Sequence, residues 1–334
     1  MAATATRPAL GFELSNPPTD GISSLQFSPE DPALLLAGSW DKKVRLYDVN
    51  TDIIRSEWTR KASVLDVCFS TGNTCFAVGL DRELRSMDID STGDTLIGTH
   101  EDAIRCVVYA KETGQVMTGS WDKHVGVWDP RTNASLGKYS QPEKVFSMDI
   151  VDYTLVVAMA GRTMHVYDVR NMKETLQPRE SATKFMTRTV RCMPNGKGFV
   201  TGSIEGRVAV DYFDPAREAQ AKKYAFKCHR QTIDDVEHIY PVNAVAFHPI
   251  HGTFATGGSD GGLNLWDGNN RKRLRTYPQY PTGISALAFN CDGTYLAVAS
   301  SYTFDEGQKD HPPDNIYVKT LSENECKPKT AASS

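Results

Sequence analysis

One pattern recurs along the chain: an apolar residue, a second three positions later, and an aromatic or apolar residue two beyond that. It appears as Ile22-x-x-Leu25-x-Phe27, Val64-x-x-Val67-x-Phe69, Ile104-x-x-Val107-x-Tyr109 and Val145-x-x-Met148-x-Ile150. Two later copies are Val242-x-x-Val245-x-Phe247 and Ile284-x-x-Leu287-x-Phe289, with a weaker one, Thr187-x-x-Val190-x-Cys192, between the two groups. Successive copies start 42, 40, 41, 42, 55 and 42 residues apart. A unit of about 40 residues cannot bury its apolar face alone, so seven of them must stack on one another.

Each unit continues in the same order. A small-residue strand such as Leu35-Leu36-Ala37-Gly38-Ser39 or Phe254-Ala255-Thr256-Gly257-Gly258 follows the first strand. Next come a tight acidic turn and a third strand ending in aromatic-Asp, as in Tyr47-Asp48, Trp128-Asp129, Tyr167-Asp168 and Trp266-Asp267. Short β-branched runs between Gly and Asp turns, without helical periodicity, predict four-stranded antiparallel sheets. These residues resemble the WD40 repeat. Seven copies imply an all-β fold, a seven-bladed WD40 β-propeller.

Two length anomalies modify that plan. The 55-residue interval puts about 13 extra residues after the third strand of unit five, roughly Tyr212 to His238. The last unit carries a polar insertion, Thr303 to Pro313, before its third strand around Asn315-Ile316-Tyr317-Val318. Beyond Thr320 the chain is too polar to supply a fourth strand. Phe12-Glu13-Leu14 is therefore expected to close the ring by adding the outer strand of the last blade. The expected organisation is a flexible segment 1–11, one propeller over 12–320, and a disordered polar tail 321–334.

Composition removes several classes of function. Thirty-seven Lys plus Arg against 41 Asp plus Glu give a net charge of −4, which argues against a basic nucleic-acid coat. No apolar run approaches the ~18 residues of a membrane helix, and Met1 to Leu10 lack the basic start and apolar stretch expected of a secretory signal. Neither direct nucleic-acid binding nor membrane attachment is expected. The seven cysteines form no CxxC pair and are expected to be reduced thiols in a cytosolic or nuclear protein. No phosphate-binding Gly-rich loop or convincing metal spacing occurs, so neither cofactor nor metal is expected.

Unit three holds His100, Ser120, Asp122 and Trp128, on paper a Ser-His-Asp hydrolase set. In the WD40 pattern these four positions form a buried network tying the blade's first loop to its third strand. A structural tetrad and no enzyme is the expectation.

The remaining candidates lie on one rim. Alternating strand direction brings the start of strand one, the end of strand two, the start of strand three and the end of strand four to the same face. Trp40 and Trp121 end strand two, where an exposed indole offers rigid area and one N–H donor for a partner. In unit five, Arg188, Arg207 and Lys227 reach that face from three strands. Converging cations suit an acidic or phosphorylated peptide.

Longer stretches carry a closer resemblance. Asp20-Gly21-Ile22-Ser23-Ser24, Ser140-Gln141-Pro142-Glu143-Lys144-Val145, Ser203-Ile204-Glu205-Gly206-Arg207-Val208-Ala209-Val210 and Tyr224-Ala225-Phe226-Lys227-Cys228-His229-Arg230 are similar to the spindle-checkpoint propellers of the budding-uninhibited-by-benzimidazole group. The resemblance spans about Phe12 to Lys329. It implies a non-enzymatic adaptor that binds the GLEBS segment of checkpoint kinases and related checkpoint proteins. It also implies binding of phosphorylated Met-Glu-Leu-Thr repeats of the kinetochore scaffold, and membership of the mitotic checkpoint complex that inhibits the anaphase-promoting ubiquitin ligase. Arg207 and Lys227 would hold the phosphothreonine; Trp40, Trp121 and Arg188 would meet the GLEBS segment. The implied location is the nucleus, the kinetochore in mitosis, and the cytoplasm. The alternative is a nucleoporin-binding mRNA-export propeller, which shares the Ser-Ile-Glu-Gly-Arg and Phe-Lys-Cys-His-Arg stretches.

Overall fold

A computed structural model describes residues 9–91 and 93–329 of the chain. Blade one is built from strands Ile22–Phe27, Leu34–Ser39, Lys43–Asp48 and Ile53–Thr59, ordered outward from the axis. The same antiparallel order repeats over residues 64–99, 104–140, 145–180, 187–227 and 242–276, and residues 284–320 supply the three inner strands of blade seven. Each innermost strand packs against that of the next blade, and blade seven packs on blade one. The result is the expected seven-bladed propeller.

Every blade buries both faces, which explains why its second strand is an unbroken apolar or small-residue run. Leu34–Ser39 is buried along its whole length. Seven apolar clusters sit one at each interface between neighbouring blades. At the closing interface Leu25 and Phe27 of blade one share a cluster with Ala286 and Ala297 of blade seven.

Closure occurs as expected. Phe12 pairs opposite Val318 and Glu13 opposite Tyr317, and the Leu14 N–H donates to the Ile316 carbonyl at 2.9 Å. Leu14 is buried in the seven–one cluster. The two ends of the chain thus share one sheet, and the outer edge of blade seven's third strand is paired.

The C-terminal segment differs from the disordered tail expected from residue 321. Leu321 and Cys326 are buried between blades six and seven, with Cys326 0 % exposed. The short helix Glu323–Cys326 lies against strand Lys272–Thr276, where Arg275 pairs with Glu325 at 3.2 Å. The Thr253 hydroxyl donates to the Cys326 carbonyl at 2.9 Å. The two apolar side chains, the ion pair and the hydrogen bond together hold this polar segment at the interface. Residues 330–334 lie outside the described residues, as do 1–8 of the expected flexible N-terminus. Ala9 and Leu10 are tied down: their carbonyls accept from Lys319 Nζ at 2.7 Å and Tyr280 OH at 2.8 Å.

The extra residues of unit five divide in two. A short helix, Arg217–Gln220, occupies the link between the third and fourth strands. A hairpin, Arg230–Ile233 with Val236–Ile239, follows the fourth strand. Among the described residues no helix is long and apolar enough to cross a membrane.

Candidate functional site

The hydrolase-like set of blade three is a closed hydrogen-bond relay. Trp128 Nε1–H donates to Thr118 Oγ1 at 2.8 Å, and Thr118 Oγ1 lies 2.8 Å from His100 Nε2. His100 Nδ1 lies 2.8 Å from Asp122 Oδ2. The ionised Asp122 carboxylate can only accept, so Nδ1 carries the ring proton. In the neutral imidazole, Nε2 accepts from the Thr118 hydroxyl, which in turn accepts from the indole. Burial lowers the His100 pKa against the pull of Asp122, which favours this neutral tautomer. Burial would raise the Asp122 pKa, but His100 and the Glu101 N–H outweigh it and the carboxyl sits below its ordinary value.

Ser120 takes no part between His100 and Trp128. Its hydroxyl turns to the Ala103 carbonyl at 2.9 Å and accepts from the Asp122 N–H at 3.1 Å. The geometry locks a blade rather than activating a nucleophile. Thr118, absent from the expected four, is the central link. Blade six repeats the relay through His229, Asp260, Thr256 and Trp266, with contacts of 2.9 Å. Here Gly258 stands where blade three has Ser120, and the inserted hairpin hides the spacing in the sequence. Aligning Thr256-Gly257-Gly258-Ser259-Asp260 with Thr118-Gly119-Ser120-Trp121-Asp122 would have found it.

On the expected rim, one row of residues crosses blade five. Thr187 pairs with Ser203, Ser203 with Arg207, and Arg207 with Lys227. Arg207 and Lys227 are thus directly opposite on neighbouring antiparallel strands, with side chains on the same face. Lys227 is exposed and Arg207 half-buried, with Arg207 Nε 3.4 Å from Glu205 Oε2.

Arg188 sits elsewhere on the rim. Every innermost strand has a register shift after its first residue, and Arg188 occupies that bulge in blade five. A bulge re-aims the side chain it carries. The corresponding Ser23, Arg105, Phe146, Arg188, Asn243 and Ser285 all line the central channel. The three cations therefore form two features: the Arg207–Lys227 pair on the outer strands, and Arg188 at the channel mouth. Arg105 was missed, though it is the second residue of its repeat just as Arg188 is. Burial lowers the Arg188 pKa, opposed by Asp305, and Arg105 lowers it further.

The two tryptophans are not alike. Trp40 of blade one is 45 % exposed, as expected of an indole on the rim. Trp121 of blade three is half-buried, Lys144 Nζ lies 6.0 Å from its ring centroid, and its Nε1 is buried without a hydrogen-bond partner. Its donor does not face solvent; only ring surface is offered to a partner.

The WD domain, G-beta repeat family matches residues 11–48, 91–129, 224–267 and 271–304. The chain is 53 % identical over 331 residues to the mitotic checkpoint protein BUB3.1 of Arabidopsis thaliana, covering 98 % of this chain and 97 % of that protein. The chain belongs to the Bub3 family. The mitotic checkpoint protein bub3 of Dictyostelium discoideum is 45 % identical over 321 residues, covering 95 % of this Bub3-family chain and 97 % of the relative. The mRNA export factor GLE2 of Chaetomium thermophilum is 36 % identical over 331 residues, covering 95 % and 92 %. A checkpoint role follows from Bub3-family membership, and the rim just described is where this Bub3-family propeller offers its charged pair.

Proposed function

We propose that this propeller is a non-enzymatic adaptor of the spindle checkpoint that reads two peptides on one rim. Arg207 and Lys227 grip the phosphothreonine of Met-Glu-Leu-Thr repeats of the kinetochore scaffold. Trp40, Trp121 and Arg188 hold the GLEBS segment of a checkpoint kinase, which the adaptor brings to unattached kinetochores and into the mitotic checkpoint complex. That activity belongs to the nucleus, with a cytoplasmic pool.

The observation that carries the phosphate site is the direct pairing of Arg207 with Lys227. Like charges opposite one another across strands are destabilising, and the single carboxylate of Glu205 beside Arg207 leaves the pair with net positive charge for an anion. A phosphothreonine supplies about −1.5 to −2 charges and three acceptor oxygens. A guanidinium fork beside an ammonium suits those oxygens better than either cation alone. The 53 % identity with a checkpoint protein, against 36 % with an export factor, supports the checkpoint over the export alternative.

Titration of phosphorylated and unphosphorylated Met-Glu-Leu-Thr peptides against the parent and Arg207→Ala tests the phosphate site. The parent should prefer the phosphorylated form and the variant should lose that preference while remaining folded. Equal affinities of parent and variant for the phosphopeptide would refute it. Trp121→Ala should weaken a GLEBS peptide more than the phosphopeptide, and pull-down with a nucleoporin segment separates checkpoint from export.

A further inference from the structure

The polar insertion of blade seven brings a carboxylate to the channel mouth. Asp305 Oδ1 lies 3.8 Å from Arg188 Nη2. Its other oxygen, Oδ2, accepts from the Thr303 hydroxyl at 2.6 Å and from the Ser259 hydroxyl of blade six. Ser259 is in turn held by the Asn243 side-chain amide at 2.9 Å. One carboxyl group thus bridges blades five, six and seven, with one oxygen fixed by hydroxyls and the other turned to the arginine.

The backbone and rings beside Asp305 shape its approach to the channel mouth. Phe304, immediately before Asp305, adopts φ +59°, a left-handed backbone that bulky residues rarely take without local compensation. The Tyr302 and Phe304 rings pack together at 5.3 Å. Arg188 and Asp305 both line a groove of about 840 Å³, which Ile204, Tyr240, Tyr302 and His311 also border. Arg188 is partly buried, so it needs a counter-charge whether or not a partner is present.

We propose that Asp305 is an internal stand-in for an acidic side chain of the bound peptide. It neutralises Arg188 in the unbound propeller and must yield when the ligand's carboxylate arrives. The proposal rests on the assignment of Arg188 to an acidic segment. It makes the insertion a specificity element: a segment whose charge is too weak to displace Asp305 is excluded.

The test is titration of a synthetic acidic GLEBS peptide, and its Glu→Gln form, against the parent, Asp305→Asn, Arg188→Ala and the double variant at low salt. Asparagine keeps the hydroxyl contacts and removes the charge. Asp305→Asn should bind the acidic peptide about two- to fivefold more tightly, the range of a partly exposed ion pair. The gain should vanish in the Arg188→Ala background and with the Glu→Gln peptide. Unchanged or weaker binding by Asp305→Asn, with Arg188→Ala impaired, overturns the stand-in role alone. Parent binding that Arg188→Ala leaves intact overturns the assignment of Arg188 and the stand-in role with it. A parent that does not bind the acidic peptide also overturns both.

Discussion

Arg207 and Lys227 face each other across two antiparallel strands at the rim of blade five, so two positive charges occupy one cross-strand pair. Neighbouring strands lie only about 5 Å apart, and such a pairing weakens the sheet rather than supporting it. Removing the Lys227 charge should therefore leave stability unchanged or raise it, by up to about 1 kcal/mol. Removing Arg207 also frees Glu205 and should change stability by less than that in either direction. Urea unfolding of Arg207→Ala and Lys227→Ala checks this; a loss above that size would make the pair structural. Phosphopeptide affinity of the parent should also fall between low and physiological salt, more steeply than that of Arg207→Ala.

The blade-three relay runs through Thr118, and its geometry leaves no spare partner. Replacing Thr118 by Val keeps the shape but strands the Trp128 N–H and His100 Nε2 in a buried site. Leaving two buried polar groups unsatisfied should cost about 2–5 kcal/mol. Thr118→Ser should recover most of that loss. Equal stability of the Val and Ser variants in denaturant titrations would show that the hydroxyl contributes nothing.

Close approach between blades two and three depends on a missing side chain. A Cβ added at Gly98 would lie 2.0 Å from Trp128 Cζ3. The indole is packed on several sides and held by Thr118, so it cannot swing away freely. Gly98→Ala should cost about 1–3 kcal/mol, as overpacked core sites do. A thermal melt indistinguishable from the parent would contradict this.

Acid should destabilise the fold through His248. Burial, followed by neighbouring His251, lowers its pKa to about 4. Its Nδ1 accepts the Ile250 and His251 backbone N–H groups, each at 3.2 Å, and cannot take a proton without losing them. The unfolded chain, with a histidine near 6.5, binds the proton first. Stability from this site is therefore complete above about pH 6.5 and declines as pH falls toward 4. His248→Asn, which keeps an acceptor near Nδ1, should flatten stability over that window. An unchanged pH profile would place the acid sensitivity elsewhere.

Legibility in the sequence followed the range of the interactions involved. The relay was visible at His100, Asp122 and Trp128, because a blade fixes their spacing. Thr118 was overlooked because nothing local distinguishes a threonine that bonds across strands from one that merely fills a buried strand. The His229 relay was hidden by a hairpin inserted between its members. Arg188 was found, but its partner Asp305 lies 117 residues away, brought near only when blades five and seven flank blade six. Cys326 looked like part of a polar tail because its pocket is made by residues from two other blades.

By itself the amino-acid order determined seven stacked units, the strand that seals them and the rim on which the charged residues emerge. Those follow from period, alternation and turn chemistry, which act over a few residues at a time. Tertiary structure alone decided that Arg207 opposes Lys227, that a bulge turns Arg188 to the axis, and that Trp121 hides its donor. Register and side-chain direction depend on contacts between segments far apart in the chain, and only the closed ring brings those segments together.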